Sequence, residues 1–194
     1  MYKRQVQSNI NQFGALAMAG CGSYSKIEGF GFIPVTCFSQ ALTTFIGQNL
    51  GAKEYDRTKK GALFGTICGI GIAEVIGIAV FFFSPYLIAA FGGDQKAIEY
   101  GIAEAHTIAL FYCLLAFSHC MAAIQRGAGR SIVPMFVMMI VWCGVRVTYI
   151  SIVIRIIPVI NVIYWAYPLT WFISSVIFLI LFLKTDWIHG LEKQ

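Results

Sequence analysis

The sequence predicts an all-α fold, a polytopic helical membrane protein, and three observations carry that reading. Hydrophobic residues make up 58% of the 194 positions and charged residues only 12%, with a mean hydropathy of +0.74. A soluble domain has about twice that charged fraction. The charges are also clustered, leaving long uncharged stretches between Glu28 and Lys53, between Glu104 and Arg126, and between Arg155 and Lys184. Turn chemistry falls between such stretches. At roughly 20 residues per crossing, the chain has room for at most about seven or eight helices. Disorder, a secreted disulfide scaffold and nucleic-acid binding are excluded, despite a net charge of +5.

Residues 1–5, Met-Tyr-Lys-Arg-Gln, are expected to be a non-native start, and no basic region leads into an apolar signal-peptide run. Gln5, Gln7, Ser8, Asn9, Asn11 and Gln12 make 5–20 too short and too polar for a lipid-facing span. That segment is expected to be the outer half of a helix whose beginning is missing. The first full span ends at Leu50-Gly51-Ala52. The second runs from Lys60 to Asp94, interrupted only by Glu74; Ser84-Pro85 and Gly92-Gly93-Asp94 punctuate its end, and Asp94 is placed as an N-cap. The third ends at Gly127-Ala128-Gly129. The fourth opens at Ser131 with Pro134 and crosses to Arg155, interrupted by Arg146. Pro158 separates it from the fifth. The count is five full transmembrane helices plus one partial.

Lysine and arginine orient them. Lys53, Arg57, Lys59, Lys60, Arg126, Arg130, Lys184 and Lys193 fall at one set of junctions, whereas Lys96 and Arg155 fall at the other. By the positive-inside bias the first set is cytoplasmic, which places the tail at 186–194 and the C-terminus in the cytoplasm. Trp165, Trp171, Trp187, Tyr164 and Tyr167 are candidate interfacial aromatics, with packing inside the bundle an equal alternative for Trp171.

The six cysteines are dispersed, without a C-x-x-C, and read as small packing residues. His106, Cys113 and Cys120 share a helical face, but each seven-residue step is about 10 Å, too far for one metal ion on one helix. No nucleophile elbow, phosphate loop, zinc motif or paired catalytic carboxylate is present, so neither catalytic residues, a metal nor an enzyme is expected.

What chemistry remains is ionisable groups within spans. Lys26, Glu28, Glu74, Glu104, His106 and Arg146 are costly in hydrocarbon and therefore candidates for a transport pathway or for buried pairing. Lys26 and Glu28 lie about 200° apart on a helix and cannot pair along one face; Glu104 and His106 repeat that geometry. Arg146 is about 22 Å along its helix from the cytoplasmic side, in the outer half of the bilayer. Glu74, alone in its span, faces a neighbouring helix or a thinned bilayer. Histidine changes charge near neutral pH, which suits a proton-coupled step at His106. Separately, Gly61, Gly65, Gly69, Ala73 and Gly77 recur every four residues, the spacing that lets helix backbones approach closely in lipid.

Certain strings carry a family resemblance. Thr43-Thr-Phe-Ile-Gly-Gln-Asn-Leu-Gly-Ala-Lys-Glu-Tyr-Asp-Arg57 resembles the junction after the second helix of each lobe in the multidrug and toxic compound extrusion (MATE) family. Arg126-Gly-Ala-Gly-Arg-Ser-Ile-Val-Pro134 resembles that family's Arg-Gly-Ala-Gly turn and proline-started helix. Asn11-Gln12-Phe13-Gly14 resembles the junction between the first and second helices of a lobe. Order and spacing agree over roughly 6–185.

The resemblance implies one lobe of a two-lobe, twelve-helix transporter, the C-terminal lobe at 6–185, with the N-terminal lobe as its missing partner. It further implies a cofactor-free antiporter in the plasma (inner) membrane, in which Na⁺ or H⁺ drives export of cationic, often aromatic drugs by alternating access. Glu28 and Glu104 fall on the family's eighth and tenth helices, where some members carry acidic residues. Near the end of the tenth helix, where some members are acidic, this chain has Gln125-Arg126. Asn9, Gln12 and Gln40 are candidate polar cavity residues. Two alternatives remain: a flippase for lipid-linked saccharides, drawing on Lys26 and Arg146, and a membrane assembly subunit with static ion pairs.

Overall fold

The computed structural model describes residues 10, 13–185, 187 and 188. The expectations for Asn9, Gln12, the start at 1–5 and most of the tail lie outside the described residues. Among those described, five helices are long and apolar enough to cross a membrane: α1 (Ala15–Gly51), α2 (Tyr55–Ala89), α3 (Gln95–Gly127), α4 (Ile132–Ile156) and α5 (Asn161–Lys184). Large apolar side chains cover the outside, Phe64 being 70% and Tyr86 76% exposed, as a surface solvated by lipid requires.

The junctions obey local chemistry. Asp94 caps α3, accepting from the Lys96 N–H at 3.0 Å. Gly92, Gly93 and Gly129 take positive φ at the turns. Two boundaries differ from expectation. Ala15–Gly20 belong to α1, because the break falls at Gly14, with φ of 97°, and the chain is helical from there to Gly51. Pro85 does not end the second helix, which continues to Ala89. Proline lacks the N–H that would reach the Phe81 carbonyl, yet that carbonyl accepts from the Ser84 hydroxyl at 3.1 Å and pairs with His106 Nε2 at 3.1 Å. Side chains thus restore what the ring removes, the usual condition for proline within a membrane helix.

Glycine sets how closely the helices pack. A Cβ on Gly61 or Gly65 would strike Phe45 or Leu42 of α1, and one on Gly69 would lie 2.8 Å from Cys120 Sγ. Ala73 is fully buried, and a Cβ on Gly77 would meet the Ala109 carbonyl of α3. The stripe therefore serves α1 at one end and α3 at the other. A contact not anticipated from sequence joins α1 to α3: Gly20 lies against the Ala97 carbonyl, and a Cβ on Gly101 would lie 2.8 Å from the Gly20 oxygen. These notches bring α1, α2 and α3 together around Tyr24, Ile27, Ile108 and Tyr112.

Two helices depart from regular geometry. In α3 a 3₁₀ turn at Ala109–Phe111 separates Gln95–Ile108 from Tyr112–Gly127. In α4 a π-helical stretch, Met139–Val145, ends immediately before Arg146. Such a stretch shifts the angular phase of the helix beyond it, and Arg146 is turned inward, 1% exposed.

Candidate functional site

Glu104 is the centre of the first polar cluster. It lies on α3, 3% exposed, and its Oε2 has no hydrogen-bond partner among the described residues. The Cys21 thiol of α1 interacts with this carboxylate and lies 3.5 Å from the Tyr164 hydroxyl of α5. Tyr164 donates to the Tyr100 carbonyl at 3.3 Å, and the single Cys21 S–H is shared between the Glu104 carboxylate and the Tyr164 oxygen. Glu28, half-buried on α1, is within electrostatic reach of Glu104, Tyr24 and Tyr112. Tyr24 and Tyr112 face each other, hydroxyl to hydroxyl, at 3.2 Å. Two carboxylates from different helices thus lie within electrostatic reach of one another beside a thiol and buried phenols. A buried carboxylate oxygen without a donor leaves its charge uncompensated, which is costly in a low-dielectric interior.

Arg146 anchors the second cluster. Its Nε and Nη2 donate to Thr170 Oγ1 at 3.1 and 2.6 Å, and its guanidinium lies 4.3 Å from the Tyr167 ring centroid and 5.6 Å from that of Trp142. Trp142 Nε1 donates to Ser174 at 3.3 Å, and Ser174 and Ser175 flank Ser118 of α3 at 2.9 and 3.0 Å. Aromatic rings join the two clusters: Tyr112 to Trp171 at 6.1 Å, and Trp171 to Tyr167 at 6.1 Å. Tyr24, Tyr112, Trp171 and Tyr167 therefore form a continuous line from the carboxylates to the guanidinium.

The other candidates lie apart. Lys26 is exposed, its Nζ 5.1 Å from the Phe91 ring centroid, and Gln40 is exposed. His106 is exposed on the far face of α3 from Glu104, stacked on Phe81 at 4.3 Å, and serves the carbonyl that Pro85 leaves free. Of the expected interfacial aromatics, Trp165 is half exposed, but Tyr164, Trp171 and Trp187 are buried. Tyr164 and Trp171 are drawn inward because their partners, Cys21 and Tyr112, are in the interior. Cys21 is likewise more than a packing residue. Its role escapes a reading of the sequence because its partners come from α3 and α5, far away along the chain. A Tyr at each of positions 24, 112 and 164, within membrane-spanning stretches, is the signal that could have pointed to it.

Helix lengths, lipid-suited exterior and buried ionisable groups define a multi-pass membrane protein with a polar interior. The MatE family model matches residues 5–152, and the chain belongs to that family. It is 30% identical over 130 residues to a probable multidrug resistance protein NorM of Thermotoga maritima, covering 66% of this chain and 28% of that protein. Identity to a probable multidrug resistance protein YoeA of Bacillus subtilis is 25% over 146 residues, 73% of this chain and 31% of that one. The chain thus spans less than a third of these relatives. An outward-facing multidrug resistance MATE family transporter superposes with a TM-score of 0.87 at 19% identity, covering 95% of this chain and 41% of that one. The MATE transporter ClbM, solved with Rb⁺, superposes at 0.86 and 17% identity, covering 96% and 44%. At those identities the solved structures speak to the fold.

Proposed function

We propose that the chain is one lobe, the C-terminal one, of a cation-coupled exporter of cationic or amphipathic drugs. It works by alternating access against a second lobe, in the inner membrane, with the C-terminus cytoplasmic. The observation that carries this reading is Glu104, buried with Oε2 lacking a donor and with Glu28 within electrostatic reach. A site of that kind binds a proton or a Na⁺ ion by lowering its own charge, and it needs no other cofactor. The names of the Thermotoga and Bacillus relatives support the drug class. The aromatic line from Tyr24 to Tyr167 supplies π faces suited to organic cations.

Neither basic group of the flippase alternative is well placed for an anionic headgroup. Arg146 is enclosed and bonded to Thr170, and Lys26 lies over Phe91. The test is efflux of a fluorescent organic cation from vesicles containing the full-length protein, under an imposed Na⁺ or H⁺ gradient. One gradient is expected to drive efflux, and Glu104→Gln to abolish it. If neither gradient drives any of several cations, the antiport reading fails.

A further inference from the structure

Two intramembrane groups, Glu74 and His106, stand outside both clusters, and each contacts the backbone of the opposite helix. Glu74 Oε2 of α2 accepts from the Cys113 N–H of α3 at 3.1 Å. That N–H lies in the first turn after the 3₁₀ break at Ala109–Phe111, where an intrahelical acceptor is lost. In return, His106 of α3 pairs with the Phe81 carbonyl of α2, the one that Pro85 leaves without its donor. Between them Gly77 packs on the Ala109 carbonyl, a contact that any side chain at that position would block. Positions 74, 77 and 81 run along one face of α2, and 113, 109 and 106 run antiparallel to them along α3.

We propose that this ladder is a paired hinge and that Glu74 is its positioning residue. The α3 break is held by Glu74 of α2, and the Phe81 carbonyl that Pro85 frees in α2 is shared by Ser84 of the same helix and His106 of α3, so α2 and α3 bend together. The break lies between Glu104, on the N-terminal segment of α3, and Tyr112, which opens the C-terminal one. The hinge angle therefore sets where Glu104 sits relative to Tyr24, Tyr112 and Cys21. In this the inference rests on the transport reading above. Its structural core, that Glu74 holds the α3 break, does not.

The test compares Glu74→Met and Glu74→Gln with the wild type in lipid nanodiscs and in transporting vesicles. Methionine fills the space without accepting a strong hydrogen bond, while the Gln carbonyl keeps the acceptor. Glu74→Met is expected to exchange the Cys113 amide roughly ten- to hundredfold faster, the factor for losing a hydrogen bond to a charged acceptor, with Glu74→Gln largely protected. Maximal flux is expected to fall in Glu74→Met with KM unchanged, and to recover in Glu74→Gln. Unaltered exchange at Cys113 in Glu74→Met would overturn the hinge assignment. Faster exchange with wild-type flux would overturn the positioning role. If the wild type itself transports nothing, the exchange comparison still decides the hinge, and the failure belongs to the transport reading.

Discussion

Arg146 on α4 and Thr170 on α5 are joined by two hydrogen bonds that converge on one oxygen, from Nε at 3.1 Å and from Nη2 at 2.6 Å. The threonine can serve both because its own proton goes to the Ala166 and Tyr167 carbonyls, at 2.9 and 3.0 Å, leaving its lone pairs free. Thr170→Val keeps the shape and removes the acceptor. It is expected to cost about 1–3 kcal/mol, read as a lower melting temperature in detergent, with Thr170→Ser close to wild type. Equal melting of the Val and Ser variants would show that the hydroxyl does not matter to the arginine.

The Glu104 site gives an asymmetric expectation. Glu104→Gln replaces a buried carboxylate with a neutral group of the same size, so folding is expected to be unimpaired or improved. Gradient-driven efflux is expected to be lost. A variant that unfolds at lower temperature yet still transports would mean that the carboxylate is a structural partner.

Tyr24 and Tyr112 hold each other across the α1–α3 interface at 3.2 Å. Each single change to Phe leaves one buried hydroxyl without this partner, whereas the double change removes both. A double-mutant cycle on thermal stability is expected to give a coupling of about 0.5–1.5 kcal/mol. Strict additivity would show that the two hydroxyls do not hold the interface together.

Gly69→Leu drives a branched side chain into Cys120 and Phe38, at a cost of about 1–3 kcal/mol or more. It is expected to impair folding or transport of the full-length protein. Gly71, two residues on, has open space where its Cβ would be, and Gly71→Leu is the matched control. Normal expression and flux in Gly69→Leu would count against the glycine stripe as a packing surface.

Much of this was legible in the sequence. The charge-free stretches located five spans, Asp94 was readable as a cap, and the four-residue glycine period marked α2 as a close-packing helix. The ordered Gly-Gln and Arg-Gly-Ala-Gly strings pointed to the family that the match over 5–152 establishes. Each of these signals is local, set by neighbours within a turn or two. Glu28, Glu104 and Arg146 stood out for the same reason, since an ionisable group in a span is visible from composition alone.

What local pattern could not assign was what each of those groups touches. Glu104, Glu74 and His106 were all read from sequence as ionisable residues within spans, Glu74 alone in its span and Glu104 and His106 two apart on another. The packing of α2 on α3 gave Glu74 and His106 to backbone groups left free at a 3₁₀ turn and a proline. Glu104 alone of the three was left with a buried oxygen lacking a donor among the described residues. The sequence by itself determined that the chain lies in a membrane, and roughly where it crosses. Only the tertiary structure decided which ionisable groups bond to backbone and which keeps a buried oxygen without a donor, because hydrogen-bond partners 25 to 39 residues apart meet only when helices pack.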